Sequence, residues 1–366
     1  MPPVKTFAEI FPESGSPVLL ATPANICYTT GFYTTARRPA QIGYTCALLT
    51  PRQTLLFCPA AWADTARISL EGTDIEVCAY SGGAQELAEA LRAHLKSRAT
   101  VGLDMTGTEL EFYMELCRAL PGVRWQDVTR QMQMARLIKT PAELDALRKS
   151  AAVAAKAMEY ARTILRPGKT ERQIAAELEY EMRRHGSDGT PFTMKVLCGE
   201  HAVRTINIPD DTVLRGGEIV LLDFGATVDH YTSDWTRSFA LCSASPEQEE
   251  LYRLVWEVER ACIRAACPGT PVSKLMRVAE QTMAGHPYAA GFNPYLGHSI
   301  GLASQEWPPL RRDTELILQE NMVLTIEPGI YLPGLGGVRI EDEIVITGEG
   351  AVCLTGLHPE GFVVGN

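Results

Sequence analysis

Between Gly217 and Arg237 the chain reads GEIVLLDFGATVDHYTSDWTR, and this stretch leaves little freedom in how it can fold. Ile219 to Leu222 is an unbroken apolar run, as in a strand covered on both faces. It leads straight into a carboxylate, Asp223, with Gly225 close behind. Past a turn at Asp229-His230 comes a second carboxylate in a strand-like setting, Asp234 in Ser-Asp-Trp-Thr-Arg. Two strands joined by a short turn bring Asp223 and Asp234 side by side. Burying that pair is costly, because like charges repel and burial strips hydration. One carboxyl is protonated, or Arg237 compensates, or a cation lies between them; the stretch alone leaves all three open.

Three more sites have the same character, a ligand-type residue set in an apolar strand. His298 lies in Gly-His-Ser-Ile-Gly, Glu327 follows Met322–Ile326 and precedes Pro328-Gly329, and Glu341 lies in Val-Arg-Ile-Glu-Asp. Singly, each has an ordinary explanation: a hydrogen-bonded core histidine, a turn, a solvated acidic edge. Together with Asp223 and Asp234 they form a set of hard oxygens plus one imidazole. Two divalent cations would neutralise the four carboxylates, whereas one would leave buried negative charge in excess.

The chain around these residues organises in two parts. The first ~135 residues alternate strand-like and helix-like segments, an α/β layer pattern. SPVLLATPANICYTT and Gly43–Cys58 read as strands, AQELAEALRAHLKS and TELEFYMELCRAL as helices, and ATVGLDM as a strand. We expect a boundary within residues 132–140, giving domains 1–135 and 136–366. Three helices with capping signals follow, starting at Thr140-Pro141-Ala142-Glu143, Thr170-Glu171-Arg172-Gln173 and Ser245-Pro246-Glu247-Gln248. Strand-like segments, GHSIGLA among them, fill the rest, so the second domain is expected to be α+β with a mostly antiparallel sheet.

The motifs LDFG, SDWTR, GHSIG, IEPG and VRIED, in this order and spacing, resemble the M24 metallopeptidase family: methionine aminopeptidase, aminopeptidase P, prolidase and creatinase-type relatives. Asn25-Ile26-Cys27-Tyr28, Gly31-Phe32 and ARLIKTPAELDALRKSA are similar to the two-domain members. The resemblance implies a pita-bread catalytic domain preceded by a smaller creatinase-type domain. It implies a dinuclear metal site, with Asp223 on one ion, Asp234 and Glu341 bridging, and His298 and Glu327 on the second. The ions would be Mn²⁺ or Co²⁺ foremost, with Zn²⁺ or Fe²⁺ as alternatives. A metal-bridging hydroxide would attack the scissile carbonyl, with Glu327 as proton shuttle. Arg339 would pair with Asp223, and Thr236 would hydrogen-bond a ligand carboxylate. The resemblance also implies a homodimer.

Two positions depart from the proline-specific pattern. Ile206 and Gln305 stand where that pattern carries histidines that hydrogen-bond substrate. His201 and His230 are the nearest candidates to compensate. Arg37 and Arg38 are candidates to bind a substrate carboxylate. We therefore expect an Xaa-Pro-type aminopeptidase or dipeptidase with an altered substrate shell. The alternatives are a C–N hydrolase of a small metabolite, as in creatinase and ectoine-hydrolase relatives, and a non-catalytic binding protein. The net charge of −10 over 366 residues argues against a nucleic-acid or anionic-membrane partner. Ten cysteines without CxxC pairing, and an N-terminus lacking the apolar core of a signal peptide, point to the cytoplasm.

Overall fold

Strands and helices alternate from the start of the chain, as apolar runs of different period succeed one another. The computed structural model describes residues 4–34, 43–96, 98–355 and 361–365. It divides into two units, Met1–Arg136 and Leu137–Asn366.

In the first unit, β1 (Val18–Leu20), β2 (Cys46–Leu49), β3 (Thr54–Pro59), β4 (Glu76–Tyr80), β5 (Thr100–Leu103) and β6 (Arg124–Asp127) form one sheet. Its order is β4-β3-β2-β1-β5-β6, antiparallel through β1, β2 and β3 and parallel elsewhere. Helices Ala84–Arg92 and Leu110–Ala119 bury Leu87, Leu91, Phe112 and Leu116 with Leu19 and Phe57 of the sheet.

The stretch SPVLLATPANICYTT is a strand only over Val18–Leu20; Pro23–Thr30 is a helix. Thr22 caps it by accepting from the Asn25 amide, Pro23 is pre-set for a first turn, and Gly31 closes it at φ 79°. Buried Asn25 is held by Asp104 at 2.5 Å, so tertiary contacts reinforce the helix over the strand-like composition. Strands β4 and β6, unforeseen from sequence, are only partly buried and carry weak hydrophobic alternation. The helix Thr129–Leu137 runs into residues 132–140.

In the second unit the three expected helices form at Pro141–Ile164, Glu171–Arg184 and Pro246–Ala265, each with both capping-box bonds present. A fourth, Val272–Met283, starts at Pro271, whose side chain offers no acceptor and hence no capping signal to read.

The strands of this unit are β7 (Lys195–Cys198), β8 (Ile219–Phe224), β9 (Thr227–Val228), β10 (Tyr231–Thr232), β11 (Trp235–Leu241), β12 (His298–Ser299), β13 (Glu306–Pro309), β14 (Val323–Ile326), β15 (Gly329–Leu332), β16 (Gly336–Arg339), β17 (Asp342–Thr347), β18 (Gly350–Cys353) and β19 (Val363–Val364). They make a four-stranded sheet, β19-β11-β8-β7, a five-stranded sheet, β13-β12-β14-β17-β18, and two ribbons. All pairings are antiparallel except β11 with β19. The GHSIGLA segment yields only two strand residues.

The helix Pro141–Ile164 packs Ala154 and Met158 with Leu222 of β8 and Trp235 of β11. The third and fourth helices pack Val255, Val258 and Leu275 with Leu324 of β14 and Ile344 of β17. The apolar backs of both sheets are thus covered by helices. An isolated bridge, Thr236 to Glu341, joins β11 to the residue just before β17.

Candidate metal centre

The polar residues anticipated from sequence gather around that bridge. Asp223 lies near the end of β8, Asp234 just before β11, His298 on β12, Glu327 just after β14 and Glu341 just before β17. Strand ends leave the apolar layers, so a side chain there can turn into a polar cavity while its strand stays anchored. Two glycines permit the close approach. A Cβ on Gly225 would sit 1.7 Å from the Ser233 carbonyl oxygen, and one on Gly297 (φ 138°) would sit 2.2 Å from that of Thr325.

Asp234, His298 and Glu341 each offer a ligand atom, and the three atoms lie within 4.8 Å of one another. All three side chains are buried. His298 Nε2 is 3.4 Å from Asp234 Oδ2 and 3.4 Å from Glu327 Oε1. Its Nδ1 is 3.0 Å from the Ser299 carbonyl oxygen. A carbonyl only accepts, so Nδ1 carries the hydrogen, and in the neutral ring the Nε2 lone pair faces the carboxylates.

Thr236 donates to Glu341 Oε2 at 2.6 Å, while the other oxygen, Oε1, is buried without a hydrogen-bond partner among the described residues. An orphaned carboxylate oxygen among further carboxylates is the environment a cation satisfies, so these residues fit a divalent metal. Arg339 forms an ion pair with Asp223 Oδ2, receives support from Thr236 Oγ1 at 3.0 Å and Tyr331 Oη at 2.9 Å, and reaches within 3.9 Å of Glu327.

The electrostatics of the cluster follow from burial. Asp234 is pushed up to about 8, first by burial and then by the charge of Glu341. Burial, followed by the charges of Glu327 and Asp223, lifts Glu341 to about 8. Burial also raises Glu327, to about 7. For His298 burial acts downward, but the bond to Asp234 and the surrounding carboxylates prevail and carry it to about 10. Without metal the cluster therefore retains protons near neutral pH.

Three contributors went unread in the sequence. Lys195, on β7, places Nζ 2.7 Å from Asp223 Oδ2; a lone lysine in the apolar run before Gly199 was the available signal. Tyr331, on β15, braces Arg339 through its hydroxyl. Glu343 accepts from the Asp234 amide at 2.5 Å, and burial pushes its carboxyl far up. Its neighbour Asp342 turns the other way, to Trp235, Arg237 and Thr355. Arg237 therefore serves Asp342, and the compensation for Asp223 that the sequence left open to it comes instead from Arg339 and Lys195.

Among the described residues, none of the substrate-side candidates forms a hydrogen bond or ion pair with this cluster. Ile206 is 91 % exposed, and Gln305 is exposed just ahead of β13. His201 Nδ1 pairs with buried Glu171 at 2.7 Å, in a brace that also takes the amides of Cys198 and Asp210. His230 holds a turn position at φ 71°. Arg37 and Arg38 lie outside the described residues.

Residues 145–348 match the model of metallopeptidase family M24, and residues 15–138 match the creatinase/prolidase N-terminal domain. A putative dipeptidase of Bacillus subtilis is 33 % identical over 94 % of this chain and 94 % of its own. The Xaa-Pro dipeptidase of Pyrococcus furiosus is 35 % identical over 71 % of this chain and 75 % of its own. The solved structure of an Xaa-Pro dipeptidase from Bacillus anthracis superposes with a TM-score of 0.87 at 26 % identity, covering 98 % of each chain.

Proposed function

The chain belongs to metallopeptidase family M24 and is a metal-dependent hydrolase of the pita-bread fold, and from that premise we propose that it cleaves short peptides as an Xaa-Pro-type dipeptidase or aminopeptidase. The observation that carries this reading is the convergence of Asp234, His298 and Glu341, with Glu341 Oε1 left unpartnered.

In this reading Asp223 would hold one divalent ion, His298 and Glu327 would hold a second, and Asp234 and Glu341 would serve both; Mn²⁺ or Co²⁺ are the first candidates. Bound there, such ions would supply Lewis-acid chemistry, lowering the pKa of a water molecule and polarising the scissile carbonyl. The protein's own groups do the rest. The Ser299 carbonyl keeps His298 in the tautomer that presents Nε2 to a ligand. Thr236 orients Glu341, and Arg339 orients Asp223. Glu327, with its side chain 14 % exposed, would take a proton from the attacking water and pass it to the departing amine. The working form is a homodimer acting on small substrates.

A second reading has one observation in its favour. Neither Ile206 nor Gln305 supplies the imidazole of the proline-specific pattern, which suits a small non-peptide amide whose C–N bond is cleaved instead. A panel of dipeptides and Xaa-Pro peptides, assayed with added Mn²⁺ or Co²⁺, separates the two. Turnover of Xaa-Pro peptides supports the peptidase reading; silence across the panel, with metal bound, removes it.

A further inference from the structure

Lys195 stands where the metal reading calls for a cation. It is the cross-strand partner of Asp223 in the β7–β8 ladder, and its ammonium lies 2.7 Å from Asp223 Oδ2, the oxygen that Arg339 also engages. The alternation of β7 explains its direction. Val196 and Cys198 pack into the helix-covered core, whereas Leu197 joins the small cluster with Ala202, Leu221 and Tyr331 on the opposite face. Lys195 shares the face of Leu197 and so points with Asp223 toward the site. The order of the sheet makes β7 an edge strand, and the lysine side chain is 29 % exposed against 5 % for Asp223. Its flexible stem gives the ammonium a route out to water.

Charge arithmetic gives this contact weight. Asp223, Asp234, Glu327 and Glu341 carry four negative charges when ionised, and Arg339 and Lys195 supply two positive ones. The remainder matches one divalent ion, and its natural seat is the Asp234–His298–Glu341 group, where Glu341 Oε1 is unpartnered. Asp223 is not one of that group among the described residues.

We propose that Lys195 is a built-in counter-ion that competes with the second divalent cation for Asp223. The first ion enters at Asp234, His298 and Glu341 with Lys195 in place. An ion at Asp223 must displace the ammonium or bind against its repulsion, so the two positions fill at different metal concentrations. The inference rests on the dinuclear reading above and assigns Lys195 as a positioning residue that sets occupancy.

The test is metal stoichiometry rather than turnover. Chelator-stripped wild type, K195M and K195R are dialysed against a series of free Mn²⁺ concentrations; bound metal is measured by mass spectrometry, and binding isotherms by calorimetry. Wild type is expected to retain one ion per chain where the second position is still largely empty. K195M should strengthen the second position by about tenfold or more, as expected from removing a unit charge a few ångström from a divalent ion even at the dielectric of water. Its first position should stay within about twofold, because among the described residues Lys195 pairs with Asp223 and not with a member of that group. K195R keeps the charge, so its second position should stay weak, which separates charge from a general loosening of β7. Equal filling of both positions in wild type overturns the inference, as does K195M binding like wild type. Failure of wild type to bind any ion would overturn the dinuclear reading and the inference with it, and is told apart by the empty first position.

Discussion

Asp223 on β8 and Thr236 on β11 are cross-strand partners, so Asp234, two residues before Thr236, meets Asp223 on the diagonal rather than face to face. Thr236 spends its hydroxyl on Glu341 and accepts from Arg339, whose guanidinium also engages Asp223. One threonine thus ties together carboxylates that belong to different sheets.

Replacing that hydroxyl is therefore expected to weaken metal binding without emptying the site. Thr236→Val keeps the shape but leaves Glu341 Oε2 without its donor. Loss of a ligand-orienting bond of this kind costs about 10- to 100-fold in metal affinity. Calorimetric titration with Mn²⁺ measures it, and affinity within twofold of wild type would show that Thr236 has no such role.

The raised carboxyls predict an unusual pH response in the metal-free protein. Asp234 and Glu341 are held at about 8 against ordinary values of 3.8 and 4.5. Their folded values exceed the unfolded ones, so the stability they contribute is full below the unfolded values and is lost as pH rises through about 8. His298, lifted to about 10 from 6.5, acts in the same direction. A divalent ion must displace these protons, so its affinity should climb over the same window. Thermal melts should show Tm of chelator-stripped protein falling between about pH 6 and pH 9, while the rise in Tm on adding Mn²⁺ grows. An apo Tm that increased over this range would contradict the arrangement.

Gly225 leads from Asp223 into the connection to Asp234. Gly225→Ala would place a methyl on the Ser233 carbonyl, a backbone atom that cannot give way as a flexible side chain can. The expected loss of stability reaches the roughly 3 kcal/mol upper end of ordinary substitutions. Urea denaturation of metal-free protein checks it; a change under about 1 kcal/mol, the usual value for a point substitution, would mean the turn re-forms readily.

Position 206 is open to direct chemical repair. Ile206 is exposed on its loop, so Ile206→His should fold as wild type does. If the loop approaches bound substrate, the added imidazole should raise kcat/KM on Xaa-Pro peptides by about tenfold or more, a modest share of what one such donor supplies elsewhere. Unchanged kcat/KM would place residue 206 outside the substrate contacts.

Local sequence carried a large part of this structure. Thr140, Thr170 and Ser245 announce their helices because a cap and its partner sit three residues apart and need nothing distant. The apolar run into Asp223, the glycines beside Asp223 and His298, and the set Asp223, Asp234, His298, Glu327 and Glu341 were legible as strand ends bearing ligand-type groups. What composition misjudged was also local in form but tertiary in cause: Pro23–Thr30 has strand-like residues, yet a capped first turn and the buried Asn25–Asp104 bond make it a helix.

The partners within the cluster were decided only in three dimensions. Sequence spacing does not say that Thr236 meets Glu341, that Arg237 turns to Asp342 and Arg339 to Asp223, or that Lys195 lies against Asp223. Each of those contacts depends on strand register, and a one-residue slip would send the side chain to the opposite face of its sheet. Residue order alone specifies which groups are present and that they lie at the ends of buried strands. The pairing of those strands decided which charge faces which, because ion pairs and ligand sets are made across the ladder rather than along the chain.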